Sequence, residues 1–451
     1  MGLDALIKKY STPGPRYTSY PTAPQWSDLV GAKEYREALS RVGSDDALAL
    51  YVHLPFCEKL CYYCGCNIQI THDKSRSRPY VEAVKKEIAH VADHLPKTRR
   101  LSQISWGGGT PTFLSLAEIE DLHGAVAKHF TIESDAEVSL EIDPRVTTFE
   151  QLTLLRRLGF NRASLGVQDF NPEVQAAVNR IQPAAQTRAM LDECHRLGFE
   201  GVNFDLIYGL PLQTHASFES TVSEVIAMKP DRIALYNYAR LPSLLKHQSI
   251  LEKFPMPDAS ERVAIFTMAL QRLTEAGYVA IGMDHFARAQ DSLARALEAG
   301  TLYRNFMGYT VRQGAHLLGV GASAIGEVGS GFFQNVKKPS DYERAIESGA
   351  FATLRGLVLS EDDVQRKWVI QHLMCQFALS ADRFESQFQV DWSERFANEL
   401  RSLDGFKQDG ILEGDGRDIR VTEKGRLFVR NVAMLFDAYL NRQQKAFSQT
   451  V

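Results

Sequence analysis

Ala47-Leu48-Ala49-Leu50-Tyr51-Val52-His53-Leu54-Pro55-Phe56-Cys57-Glu58-Lys59-Leu60-Cys61-Tyr62-Tyr63-Cys64-Gly65-Cys66-Asn67 reads as a β-strand that runs straight into a cysteine-rich loop. The apolar run to Leu54 has strand length, and Pro55 ends it. The thiols follow as Cys-x3-Cys-x2-Cys, with a further cysteine at 66. Of the six cysteines in the chain, four lie here. A disulfide framework spreads its cysteines, so clustering points to metal. Thiolates select zinc or an iron–sulfur cluster. Zinc wants four ligands, usually in two separated pairs, and there is no second pair. His53, Cys66 and His72 are near enough to complete such a site, so zinc stays open as the alternative. Three thiolates in one tight loop suit a four-iron cubane with one iron left free. Cys194 shares an apolar helical face with Met190 and Leu197 and reads as core, as does Cys375.

Working outward, the same strand-then-loop unit recurs. Strands are expected at Ala47–Leu54, Gln103–Trp106, Val138–Ile142, Arg162–Val167, Val202–Ile207 and Arg232–Asn237. Helices fall between them. Val81, Val84, Ile88 and Val91 form one stripe at helical spacing. Ser115 with Glu118, and Thr147 with Glu150, read as capping boxes. Leu158-Gly159-Phe160, Leu197-Gly198-Phe199 and Ala276-Gly277-Tyr278 each close a helix with a left-handed glycine and open a strand. Serial βα units imply a parallel sheet with right-handed crossovers. It closes fully or partly into a barrel, or opens into a doubly wound sheet. Functional residues belong at the C-terminal strand ends.

The flanks differ. The first 45 residues lack clear periodicity, and Gly14-Pro15-Arg16-Tyr17-Thr18-Ser19-Tyr20-Pro21-Thr22 reads as an ordered extended arm. Beyond about 345 come helical stretches at 361–379 and 391–403, a hairpin through Gly410–Leu412 and Ile419–Val421, and a helix at 424–441. This part resembles a winged helix, but its recognition surface is not evidently basic. The domains expected are therefore 1–45, 46–345 and 346–451. With 51 basic and 55 acidic residues the net charge is −4, which gives no argument for nucleic acid. No stretch approaches the roughly 18 apolar residues of a membrane span, and the N-terminus lacks a secretion signal. A soluble cytoplasmic protein is expected.

Polar residues cluster at the strand ends. Gly107-Gly108-Gly109-Thr110-Pro111 lets backbone approach a ligand closely. It is not a phosphate loop, because the Gly-x4-Gly-Lys-Ser/Thr pattern is absent. Glu141 and Asp143 end the third strand, and alternation is expected to point one of them inward. Gln168 and Asp169 end the fourth. Arg180 follows, and Asp205 lies in the fifth. Any one of these alone is more often a cap or an ion pair; together at successive strand ends they read as a site.

The Cys57-x3-Cys61-x2-Cys64 spacing resembles the signature of radical S-adenosylmethionine (SAM) enzymes. That resemblance implies a partial TIM-like (β/α)6 barrel within an α/β chain with an N-terminal arm and a C-terminal mostly helical domain. It implies a [4Fe-4S] cluster on Cys57, Cys61 and Cys64, and a 5′-deoxyadenosyl radical from reductive SAM cleavage. Arg16-Tyr17-Thr18-Ser19-Tyr20-Pro21-Thr22, Cys64-Gly65-Cys66-Asn67, Gly107-Gly108-Gly109-Thr110-Pro111, Gly166-Val167-Gln168-Asp169-Phe170, Ile207-Tyr208-Gly209-Leu210-Pro211 and Gly319-x-Gly321-x-Ser323-Ala324-Ile325 narrow it further. They resemble the oxygen-independent coproporphyrinogen III oxidases over nearly the full length. The implied reaction turns two propionates of coproporphyrinogen III into vinyl groups, giving protoporphyrinogen IX in haem biosynthesis. In that family two SAM molecules bind side by side. The resemblance places the cluster-bound one near Tyr51, Gly108, Glu141 and Ile325. The second falls near Tyr63, Gly109, Thr110, Gln168, Arg180, Asp205 and Ala239. Tyr51, Glu141, Arg180 and Asp205 are the catalytic candidates. An electron donor such as flavodoxin or ferredoxin and a monomeric state are also implied. Arg16, Arg240, His285 and Arg304 are candidate contacts for the anionic tetrapyrrole. The haem chaperones of the same superfamily are the nearest alternative, and Cys66 and the tyrosine-rich arm favour the oxidase. Cys66 then reads as a neighbour of the cluster and not a ligand.

Overall fold

The computed structural model describes residues 2–440 and Thr450. Six parallel strands form its centre: β1 (Leu48–Leu54), β2 (Arg100–Gly108), β3 (Thr131–Ile142), β4 (Arg162–Gln168), β5 (Gly201–Tyr208) and β6 (Arg232–Asn237). Each expected strand is present, and β6 has the bounds read from the sequence. Neighbours pair in chain order, β1 to β6, without reversal. A doubly wound sheet needs a reversal of strand order, so that alternative is out. The sheet is also not closed. At the β1 edge, His316–Val320 adds in parallel. Antiparallel strands Ile325–Val328, Gly331–Asn335 and Thr353–Val358 follow. At the β6 edge, His285–Arg288 and Tyr278–Gly282 add antiparallel. The result is a twelve-stranded, partly closed barrel.

Helices cover its outer face. Val81, Val84, Ile88 and Val91 on helix Ser77–Asp93 are fully buried, so the periodic stripe is the packing face. Gly159, Gly198 and Gly277 all take positive φ, between 82° and 97°, as helix ends before a strand require. The Ser115–Glu118 capping box is present. The next box sits one residue later than the sequence pattern put it, at Thr148 and Gln151. Thr147 Oγ1 instead donates to the Asp143 carbonyl at 2.9 Å, tying the β3 end to this helix.

The arm is only partly extended. Helices Leu3–Tyr10 and Ala32–Ser40 flank its middle. Eight or nine residues are too few to show a helical period against a tyrosine- and proline-rich background. Tyr17 and Tyr20 are buried in one cluster with Leu6, with the strand ends near 281–309 and with the C-terminal helices. Arg430 holds the Gly14 and Pro15 carbonyls, and Arg16 pairs with Asp284. In the C-terminal region, helix Glu361–Gln376 is followed by short helices Trp392–Arg395, Ala397–Ser402 and Asp404–Gln408 in place of one at 391–403. The hairpin Leu412–Gly414/Asp418–Val421 gains a third strand, Ala378–Ser380. The expected helix 424–441 is a 3-10 turn at Lys424–Phe428 and a helix at Val429–Met434; residue 441 lies outside the described residues. Among the described residues no helix is long and apolar enough to cross a membrane. Cys194 and Cys375 are core, at 0% and 1% exposure.

Candidate active site

A cavity of about 630 Å³ opens at the C-terminal ends of β1 to β6. Cys57, Cys61 and Cys64 line one wall of it, on the loop that leaves β1. Two backbone hydrogen bonds seat that loop: Gly109 N donates to the Leu54 carbonyl and Thr110 N to the Phe56 carbonyl, both at 2.8 Å. The contact leaves no room for a side chain. A Cβ on Gly109 would lie 2.7 Å from Pro55 C and Phe56 O. Both are backbone atoms, so relief requires moving the end of β1. Gly109→Ala therefore displaces the thiol loop, at an overpacking cost of about 1–3 kcal/mol. The expected result is a loss of about tenfold in SAM affinity of the reconstituted protein. Titration of the cluster's spectrum with SAM reads it.

The thiols differ in surroundings. Burial pushes Cys57 up to about 12, against the hydroxyl of Thr110 at 3.5 Å. Hydrogen bonds from Cys66 bring Cys64 down to about 7. Cys61 Sγ accepts from Arg145 at 3.5 Å and from Arg180 at 3.6 Å. Among the described residues no three His, Cys, Asp or Glu side chains are grouped tightly enough for one metal ion. The donor set nonetheless fits a multi-iron cluster: three soft sulfurs face one cavity, with cationic and N–H donors behind them to hold thiolate charge. Of the side chains that might complete a zinc site, His53 is committed elsewhere. Its Nε2 meets the Asn67 carbonyl at 2.9 Å and its Nδ1 the Tyr51 hydroxyl at 3.1 Å. Cys66 lines the cavity, and its N–H donates to Cys64 Sγ at 3.4 Å.

The same cavity carries the charged groups. Glu141 accepts from Gly108 N at 2.9 Å, yet burial pushes its carboxyl up to about 7. Burial also acts upward on Asp143, but Arg180 and Arg145 outweigh it and hold that carboxyl at about 2. Glu141, Ile142 and Asp143 all line the cavity; Asp143 lies just past the end of β3, where strand alternation no longer applies, so the expectation that alternation points one of the two carboxylates inward is corrected. Arg180, 6% exposed, donates to the Gly166 carbonyl at 2.6 Å and pairs with Asp143 at 3.2 Å. Asp205 is raised by burial, against bonds from Ser164 at 2.8 Å and Asn203 at 2.9 Å.

Tyr63, Gly108, Gly109, Thr110, Glu141, Gln168, Arg180 and Asp205 thus share the cavity with the three thiols. Gln168 does so at a positive φ of 68°. Tyr51, Ala239 and Ile325 do not line it. Burial raises the Tyr51 hydroxyl well above its ordinary value, and the nearby Glu141 charge adds to it. Gln248 Nε2 ties the Ala239 carbonyl to that of Tyr63, at 3.2 and 3.0 Å. Asp169, beside Gln168, is structural: it is 1% exposed and bonded to Thr221, Gln213 and Asn171. Arg145, Ser164 and Tyr236 line the site without having been picked out in sequence. Of the tetrapyrrole candidates, Arg240 is exposed and paired with Glu252 at 2.7 Å, whereas His285 and Arg304 lie inside.

The Radical SAM superfamily model matches residues 51–225, and the HemN C-terminal domain model matches 359–428. The oxygen-independent coproporphyrinogen III oxidase of Salmonella typhimurium is 44% identical over 441 residues, covering 98% of this chain and 96% of that one. The chain belongs to the oxygen-independent coproporphyrinogen III oxidase family. The oxidase of Pseudomonas aeruginosa is 43% identical over 99% of this chain and 98% of its own. The solved structure of the Escherichia coli oxidase superposes with a TM-score of 0.92 at 42% identity, covering 97% of this chain and 98% of that one.

One buried network holds this chain's turn at 321–324. Glu87, 1% exposed, accepts from Gly321 N, Asn335 Nδ2 and Tyr342 Oη at 2.6–2.7 Å. Tyr80 Oη accepts from Ala322 N at 2.7 Å and donates to the His53 carbonyl at 2.8 Å. Burial pushes Glu87 up to about 7. A raised carboxyl keeps its proton in the folded state while the unfolded chain has lost it, so stability falls as pH rises from about 4.5 to about 7. Glu87→Gln has no carboxyl to titrate. Thermal unfolding from pH 5 to 8 should therefore shift the stability difference toward the Gln variant by up to about 3 kcal/mol.

Proposed function

We propose that this chain is a cytoplasmic radical SAM enzyme that converts coproporphyrinogen III to protoporphyrinogen IX by oxidative decarboxylation of two propionates. Six cysteines without a disulfide suit a reducing compartment. The observation that carries the reading is a single cavity lined by the three thiols together with Glu141, Arg180 and Asp205. When bound, a [4Fe-4S] cluster and SAM supply a carbon-centred radical able to take hydrogen from a propionate β-carbon.

The chain's own residues hold and orient. Gly108 and Glu141, with Tyr51 and Ile325 behind, face the cluster side and suit an amino-acid head group. Arg180 forks a carboxylate, and Asp205 pairs with an ammonium or ribose hydroxyl. With Tyr63, Gly109, Thr110, Gln168 and Ala239, these make the place for a second SAM. Glu141, raised toward neutrality in the free protein, becomes a charge partner when an ammonium arrives. SAM cleavage takes up one electron and the loss of hydrogen and CO2 from the propionate gives one up, so a donor such as flavodoxin or ferredoxin, and an electron acceptor, belong to this reading.

The discriminating experiment sets haem against substrate. Anaerobically reconstituted, reduced protein is incubated with SAM and coproporphyrinogen III, and in parallel titrated with haem. Protoporphyrinogen IX formation is expected. Stoichiometric haem binding without it would move the chain to the chaperone branch.

A further inference from the structure

The three thiols of the cavity meet different donors. Cys57 Sγ lies 3.5 Å from the Thr110 hydroxyl, and Cys64 Sγ 3.4 Å from the Cys66 amide. Cys61 Sγ instead faces two guanidiniums, Arg145 at 3.5 Å and Arg180 at 3.6 Å. Arg180 has a place in the functional reading as the fork for a SAM carboxylate. Arg145 lines the same cavity and has none.

The sequence around Arg145 fixes its direction. Pro144 ends the strand ladder after β3, and the Asp143 side chain turns back on the chain. Asp143 Oδ1 accepts from the Arg145 N–H at 3.0 Å and from its Nε at 2.9 Å. Nη2 divides its two hydrogens between Asp143 Oδ2, at 2.6 Å, and Cys61 Sγ. Nη1 reaches the Asn179 carbonyl at 3.5 Å. The sulfur is held from the same side. Asn179 Nδ2 donates to the Leu60 carbonyl at 2.8 Å, and the Tyr62 N–H donates to the Val178 carbonyl at 3.0 Å. The residues on each side of Cys61 are thus tied to 178–179, and donor and sulfur share one frame.

Charge adds to geometry. The side chains of Arg145 and Asp143 are 14% and 12% exposed, and that of Arg180 is 7% exposed. Two guanidiniums and one carboxylate leave a net charge of +1 beside a single thiol, where little water screens it. An N–H donor on a cluster sulfur, and positive charge near it, favour the reduced and more negative state. Arg180 gives its other nitrogen to the Gly166 carbonyl and, on the functional reading, meets a SAM carboxylate. Arg145 keeps its N–H on the sulfur.

On that functional reading, we propose that Arg145 is a positioning residue that sets the reduction potential: braced by Asp143 and Asn179, it donates to Cys61 Sγ and eases entry of the one electron that SAM cleavage takes up. The electron comes from a one-electron carrier protein, and no bond of Arg145 forms or breaks.

The test is a potentiometric titration of the anaerobically reconstituted full chain without SAM, with the reduced cluster followed by electron paramagnetic resonance. Arg145→Gln should lower the midpoint by about 59 mV or more, a tenfold loss in the reduction equilibrium for one electron. Arg145→Lys keeps the charge without the fork and should fall between Gln and the parent. Asp143→Asn removes the counter-charge and should move the midpoint up. The role of Arg145 is overturned if Arg145→Gln titrates as the parent does. It is equally overturned if Asp143→Asn moves the midpoint down with it, because a contact that only supports the loop gives both variants the same sign. If Arg145→Gln takes up no iron, Asp143→Asn carries the test: a rise supports the role and no rise overturns it. A parent protein that takes up no cluster overturns the functional reading itself, and the role of Arg145 with it.

Discussion

Cys61→Ser should yield a folded protein that holds no cluster and releases no 5′-deoxyadenosine from SAM. Cys61 is 8% exposed, and its sulfur accepts from both Arg145 and Arg180. Serine preserves the volume and those donors, so the fold has little reason to fail. It replaces a soft thiolate with a hydroxyl that stays protonated near neutral pH and is a poor iron ligand. Iron and sulfide content, visible absorbance and 5′-deoxyadenosine should all fall to background. Cys66→Ser makes the comparison sharp. Its thiol sits beside Cys64 without being needed as a ligand, so iron content should stay at the parent level. A parallel loss of iron in Cys66→Ser would make Cys66 a ligand and contradict the three-thiol account.

Arg180→Ala should keep the cluster and lose turnover by about a hundredfold or more, the scale of a charge-assisted contact of about 3 kcal/mol. Arg180 touches Cys61 Sγ, pairs with Asp143 and donates to the Gly166 carbonyl. Arg145 remains on Asp143 at 2.6 Å, so that carboxylate is not stranded. What disappears is the cation in the half of the cavity shared with Gln168 and Asp205. Porphyrin product and SAM cleavage are the readouts, with cluster content as control. Normal turnover would remove Arg180 from the cofactor site.

The fold was largely legible because its signals are local. β6 came out with the bounds read, and the glycines at 159, 198 and 277 adopt the left-handed φ that their place after a helix demands. The arm's two helices were not legible, since their stabilisation comes from burial of Leu6, Tyr35 and Leu39 against distant elements. The site divides the same way. Cys57, Cys61 and Cys64 are set by spacing in one loop. Arg145 and Ser164 needed the register of the sheet: Ser164 reaches Asp205 only because β4 and β5 pair as they do. Arg304 was visible as a residue, but the burial of its Nε without a hydrogen-bond partner is a fact of three-dimensional packing.

One cavity is proposed to do radical chemistry on the propionates of a tetrapyrrole. Anaerobic incubation of the reduced, reconstituted protein with SAM and coproporphyrinogen III tests it most directly, with porphyrin products and 5′-deoxyadenosine quantified together. The prediction is protoporphyrinogen IX, with at least one 5′-deoxyadenosine for each vinyl group formed. Release of 5′-deoxyadenosine with coproporphyrinogen III recovered unchanged would contradict it.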